Sequence, residues 1–207
     1  MADSTATEAS REGHAHEEPD ERVRRAVATW LDEAIIGLSL CPFAAVPRRE
    51  GRVRIHVSRA SSLEAAVHDA LEAAWQLLDA PSDDDDGREA PQPETTLLAF
   101  PDTASDFEGL LDVAATVEDI LAQAGGAELL QVITFHPDYR FEGEDPDDPG
   151  VWTNRSPVPL LHLLREDEVS RAVDQHPDTL GIPERNVRVL RELGLPRLQA
   201  MWAGFKV

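Results

Sequence analysis

Three short segments and one isolated histidine carry residue types whose spacing can support chemistry. Phe135-His136-Pro137-Asp138-Tyr139-Arg140 follows an apolar run, Leu129 to Phe135. In extended backbone, residues two apart project to the same side, so His136 and Asp138 should point together. A distant second histidine would complete a two-histidine, one-carboxylate site for non-haem iron, with positions open to oxygen or substrate. His162, within Leu160-Leu161-His162-Leu163-Leu164, can supply that imidazole. The plainer readings are a turn capped by Asp138 and a core histidine satisfied by a local bond.

The second segment ends in Cys41-Pro42-Phe43, and Cys41 is the only cysteine. It excludes an internal disulfide and an all-cysteine metal site. The thiol can act as a nucleophile assisted by His136, or as a haem thiolate beside Pro42. Its place after a helix C-terminus, where the dipole is negative, raises a thiol pKa and argues against the nucleophile. A small buried hydrophobe is the plain alternative. In the third segment, Trp152 stands with Asn154, Arg155 and Ser156, a set suited to a polar or anionic ligand. Arg155 can clamp a carboxylate through two parallel hydrogen bonds, or pair with an acid such as Asp147. Arg185, Arg188 and Arg191 recur every three residues and read as a solvated helix face.

Elements must hold these residues in place. A helix is expected from Glu21 to Leu40, with Val23, Val27, Trp30, Leu31, Ala34, Ile35 and Leu38 on one stripe and Pro42 as its stop. Arg52 to Arg59 alternates as a half-buried strand. Ser61 or Ser62 caps a helix that buries Leu63, Val67, Leu71, Trp75 and Leu78. Thr95 to Phe100 reads as a strand, Thr103 to Ala124 as a helix, and Leu129 to Phe135 and Leu160 to Leu164 as strands. A short helix near 167–175 and a last one between Pro183 and Gly194 follow. This order predicts a single-domain α/β or α+β sandwich over 21–207. Helices pack on a mixed sheet of about four strands, with two strands joined by crossovers and an antiparallel edge pair.

Charge is concentrated outside these elements. The chain of 207 residues carries 40 acidic and 19 basic residues, a net charge of -21. Residues 1–20, 79–94 and 142–148 hold nearly half of the acids and two of the bases. Residues 1–20 read as a disordered acidic tail and about 81–94 as an acidic insertion. No basic stretch suits a nucleic-acid backbone or an anionic membrane surface. No apolar run is long enough to span a bilayer, and residues 1–20 lack the blocks of a signal peptide. The expected compartment is the cytoplasm.

Three blocks, WLDEAIIGLSLCPFA (30–44), ITFHPDYRFEG (133–143) and TNRSPVPLLHLLRE (153–166), resemble a bacterial family known as domain of unknown function 1415. The resemblance runs over roughly 23–195. It implies that Glu33, Cys41, Pro42, Phe43, His136, Pro137, Asp138, Tyr139, Asn154, Arg155, Ser156, His162 and Arg165 belong to the family's motifs. Tyr139 then joins the catalytic candidates and Arg165 those that bind substrate. The expected function is a small metal-dependent enzyme doing redox chemistry on a small polar or anionic substrate. His136, Asp138 and His162 would hold the metal, iron being the candidate. A Cys41-based site, with haem or as a nucleophile, and a non-enzymatic acidic accessory protein are the alternatives. If one site exists, Cys41, His136, Asp138, Asn154, Arg155 and His162 should line one cavity.

Overall fold

The computed structural model describes residues 17–79 and 92–207. Most of the expected tail and insertion therefore lies outside the described residues. The fold is α+β, a single domain around one mixed sheet of four strands in the order β1-β2-β4-β3. The strands are β1 (Val53–Val57), β2 (Thr95–Ala99), β3 (Leu130–Phe135) and β4 (Leu160–Arg165). β1 and β2 are parallel, and β4 runs antiparallel to both β2 and β3. Every residue of β2 is buried, the two threonines included, because helices cover the sheet on both faces.

Helices cover the sheet on both sides. On one face lie α1 (Pro19–Trp30), α6 (Ile182–Leu193) and α7 (Leu195–Ala203), with a 3₁₀ helix at Pro149–Asn154. They pack Val27, Trp30, Trp152, Leu190 and Leu198 against Leu97, Ala99 and Leu160. On the other face, α3 (Leu63–Leu78) and α4 (Phe107–Gln123) pack on Leu98, Leu161 and Leu163. Two further short helices, α2 (Ala45–Arg49) and α5 (Glu166–Asp174), connect these layers. Both α3 and α4 are capped, α3 at one of the two expected serines: Ser62 Oγ accepts from the Ala65 N–H at 3.2 Å. The Asp106 carboxylate accepts from the Gly109 N–H at 2.8 Å and starts α4 at Phe107, four residues later than the expected Thr103. Among the described residues, no helix is long and apolar enough to cross a membrane.

Three elements differ from the sequence expectation. The first helix starts at Pro19 and leaves α geometry after Trp30, continuing as a π-helix over Leu31–Ile36. The wider turn buries Leu31, Ala34 and Ile35 together. Gly37 closes it, since a Cβ there would meet the Glu33 carbonyl oxygen at 2.2 Å. In α3 the buried face is Ala66, Ala70, Ala73, Ala74 and Leu77, while Leu63 and Trp75 are 41% and 39% exposed. Alanines let this helix approach the sheet and α4 closely, so the larger side chains splay to its flanks. Finally, Gly194, at φ 80, ends α6 and at once begins α7, which the sequence reading did not anticipate.

Candidate functional site

Three loops meet where β1, β2 and β3 end and β4 begins: residues 104–107, 136–139 and 152–156. His136 joins them. Its ring is 1% exposed, with Phe107 5.7 Å away between centroids. Its Nδ1 accepts from the Asp138 N–H at 3.0 Å, so Nε2 carries the proton and donates to the Ala104 carbonyl at 3.2 Å. Its backbone N–H donates to the Asn154 carbonyl at 3.1 Å. Its own carbonyl accepts from the N–H groups of Tyr139 (3.1 Å) and Ser156 (3.3 Å). Burial lowers the His136 pKa, and the Ala104 carbonyl and nearby Asp138 only partly oppose this. The ring is therefore a neutral strut with both nitrogens engaged. Ala104 adopts φ 54, a left-handed conformation unusual for alanine, in offering its carbonyl.

On the opposite side of the strand ends stands Arg155. Its guanidinium lies 4.3 Å over the Trp152 ring. Its own carbonyl accepts from Trp30 Nε1 at 2.9 Å, which anchors the loop to α1. Arg155 Nε is buried without a hydrogen-bond partner, and so is Trp152 Nε1. Trp202, edge-on to Trp152 at 5.4 Å, presents a third buried and unmatched N–H. Burial lowers the Arg155 pKa, and the Asp138 carboxylate works against that shift. Among the described residues no carboxylate closes an ion pair with Arg155, so the expected Asp147 partner is not used.

Neighbouring candidates are already engaged. Asn154 Nδ2 donates to the Thr134 carbonyl at 3.2 Å while its Oδ1 accepts from Thr153 at 3.1 Å. The Ser156 hydroxyl, in a residue 1% exposed, donates to the Val158 carbonyl at 2.6 Å. Both side chains hold the loop in shape. Tyr139 packs its ring on Phe107 at 4.7 Å, and Asp138 is exposed at the rim.

The structure does not bring His162 to this place. The antiparallel pairing of β3 with β4 sets Ile133 opposite His162 and Phe135 opposite Leu160. Alternation then puts His162 on the face of Phe135, the one covered by α1, α6 and α7, and turns His136 to the α4 face. Thr95 Oγ1 lies 2.6 Å from His162 Nε2 and donates its own proton to the Leu163 carbonyl at 2.8 Å, so Nε2 is the donor. Burial depresses the His162 pKa to about 4, which leaves the ring neutral. His136, Asp138 and His162 therefore do not converge on one ion. Among the described residues, the three potential ligands that lie within 4.8 Å of one another are His68, Asp69 and Glu72, on the outside of α3.

Cys41 and Arg165 are also elsewhere. Residues 39 and 40 are tied to the first turn of α6, where Arg185 donates to the Ser39 carbonyl and Asn186 to the Leu40 carbonyl, each at 2.6 Å. The last turn of α6 holds Asp148, beside the 3₁₀ helix, through Arg191 at 3.0 Å. Cys41 thus lies by the first turns of α6, while the start of the 3₁₀ helix lies by its last. Burial raises its thiol pKa, and the backbone N–H groups of Phe43 and Ala44 offset only part of the effect. Arg165 ends β4, roughly 17–20 Å of strand away from the 154–156 loop, and bonds Asp167 at 3.3 Å. One cavity holding all six residues is not what forms.

Residues 22–200 match the family model described as Protein of unknown function (DUF1415). The chain belongs to this family. No curated protein and no solved structure matches it. In this DUF1415 chain, sequence reasoning overlooked two contributors to the site, the Ala104 carbonyl and Trp202. Neither had a signal in residue type or spacing. A third omission was legible: His-Pro-Asp occurs again at 176–178, and there too the Asp178 N–H donates to His176 Nδ1, at 3.2 Å.

Proposed function

We propose that the strand-end site binds a small anionic molecule, a carboxylate or phosphate, on Arg155. The observation that supports this is the run of buried, unmatched donors, Arg155 Nε with the indole N–H groups of Trp152 and Trp202. Buried donors require acceptors, and an oxyanion offers acceptors alone. Its place over the Trp152 ring restrains the guanidinium, so less freedom is lost on binding. Proton transfer to or from the bound molecule falls to Asp138, the exposed carboxylate beside Arg155. His136 acts as a positioning residue, keeping the Asp138 and Asn154 loops in register. The reading is of an enzyme for an anionic substrate, without a metal step routed through His162.

Calorimetric titration with phosphate, sulfate and malonate at low salt, followed in parallel by tryptophan fluorescence, tests it. One of these anions should bind saturably and change the fluorescence. Arg155→Gln should weaken that binding at least about tenfold, the size of a lost charge-assisted bond. Asp138→Asn, which removes a neighbouring negative charge, should tighten it. Unchanged affinity in Arg155→Gln, or no saturable binding by about 10 mM, refutes the proposal.

A further inference from the structure

We infer that a second site, for a small zwitterion such as a free amino acid or a dipeptide, lies between the Ser39–Pro42 turn and the start of α6. A cavity of about 520 Å³ opens there, within the range of small-molecule sites. Its wall carries two guanidiniums, Arg185 and Arg188, and two carboxylates, Asp178 and Glu184. Arg185 uses Nη1 on the Ser39 carbonyl (2.6 Å) and Asn186 Oδ1 (3.2 Å), which fixes its head and leaves its other nitrogens for a ligand. Glu184 and Arg188 stand four residues apart on one helix, in the order that favours an ion pair. Among the described residues neither has an ionic partner, although both border the cavity.

The helix end itself is satisfied, because the Asp178 carboxylate accepts from the Gly181 N–H at 2.9 Å. What remains without a protein partner is side-chain charge of both signs, Glu184 and Arg188, at the open edge of the cavity. An anion alone would meet the carboxylates and a cation alone the guanidiniums. A molecule carrying a carboxylate and an ammonium answers both. Pro42 and Ile182 supply apolar wall for its side chain, and His176 is held there edge-on to Phe43 at 5.4 Å.

The test is titration of the full chain with leucine and leucyl-leucine, beside N-acetylleucine and leucinamide, which each lack one of the two charges. At least one zwitterion should bind, and the single-charge forms should bind at least about tenfold more weakly, one charged hydrogen bond being lost in each. Arg188→Gln and Glu184→Gln, both at exposed positions, should each weaken the zwitterion by a similar factor. Arg155→Gln should leave it unchanged, which separates this site from the anion site. Three results overturn the inference: no zwitterion binding by about 10 mM, binding of N-acetylleucine as tight as leucine's in the Arg155→Gln chain, or full affinity in Arg188→Gln.

Discussion

Acid should destabilise this protein in part through His162. In the folded chain its pKa is about 4, against an ordinary 6.5, because burial disfavours the charged ring. Since the folded value is the lower one, the unfolded chain takes up a proton that the folded chain refuses between these two pH values. Stability is therefore full above about pH 6.5, falls as pH drops, and stops falling from this source below about pH 4. At about 1.4 kcal/mol per pH unit, the full loss is about 3 kcal/mol. By pH 5 about 2 kcal/mol of it has gone. The matched variant is His162→Gln, whose amide keeps an N–H for Thr95 and does not titrate. Urea unfolding of both proteins at pH 7 and pH 5 isolates the residue, since carboxylates and His136 act alike in both and cancel. The wild type should lose about 2 kcal/mol more than the variant over this interval. Parallel losses would refute the neutral buried imidazole.

Two other outcomes follow from the same contacts. His136→Ala leaves the Ala104 carbonyl and the Asp138 N–H unmatched beside a void, at a cost of about 2–4 kcal/mol. Differential scanning calorimetry should show a fall of roughly 5–15 °C, whereas a melting point within about 1 °C of wild type would end its role as a strut. Cys41, its thiol pKa raised by burial, should react with an aromatic disulfide reagent at pH 8 at least about tenfold more slowly in the native than in the urea-unfolded chain. Equal rates would contradict that environment.

What the sequence made legible was local. Alternation in β1 and the cap at Ser62 follow from patterns within a few residues. The pairing of Ile133's strand with His162's strand occurs as expected. Its consequence for chemistry depended on parity, however. A shift of one residue would have put His162 and His136 on one face, and no pattern in either segment specifies that register. The alanine face of α3 escaped notice for a related reason. Size ranks a residue as a core candidate, but close approach to a sheet selects small side chains. At the site, Arg155 and Asp138 announced themselves by type, whereas the Ala104 carbonyl is main chain and could belong to any residue.

The position of β4 bears on how the molecule comes into being during synthesis. β4 fills the slot between β2 and β3, yet Leu97 and its partner His162 are more than sixty residues apart in the chain. Until β4 has emerged, β2 and β3 each present an unpaired backbone edge, and α3 and α4 have only a partial sheet beneath them. A nascent chain that stops short of residue 160 therefore has no continuous sheet. The closing step then joins the sheet and delivers the Arg155 loop to the ends of β1, β2 and β3 at the same moment. Long-range closure of this kind is slow, and it leaves the incomplete chain open to association with others.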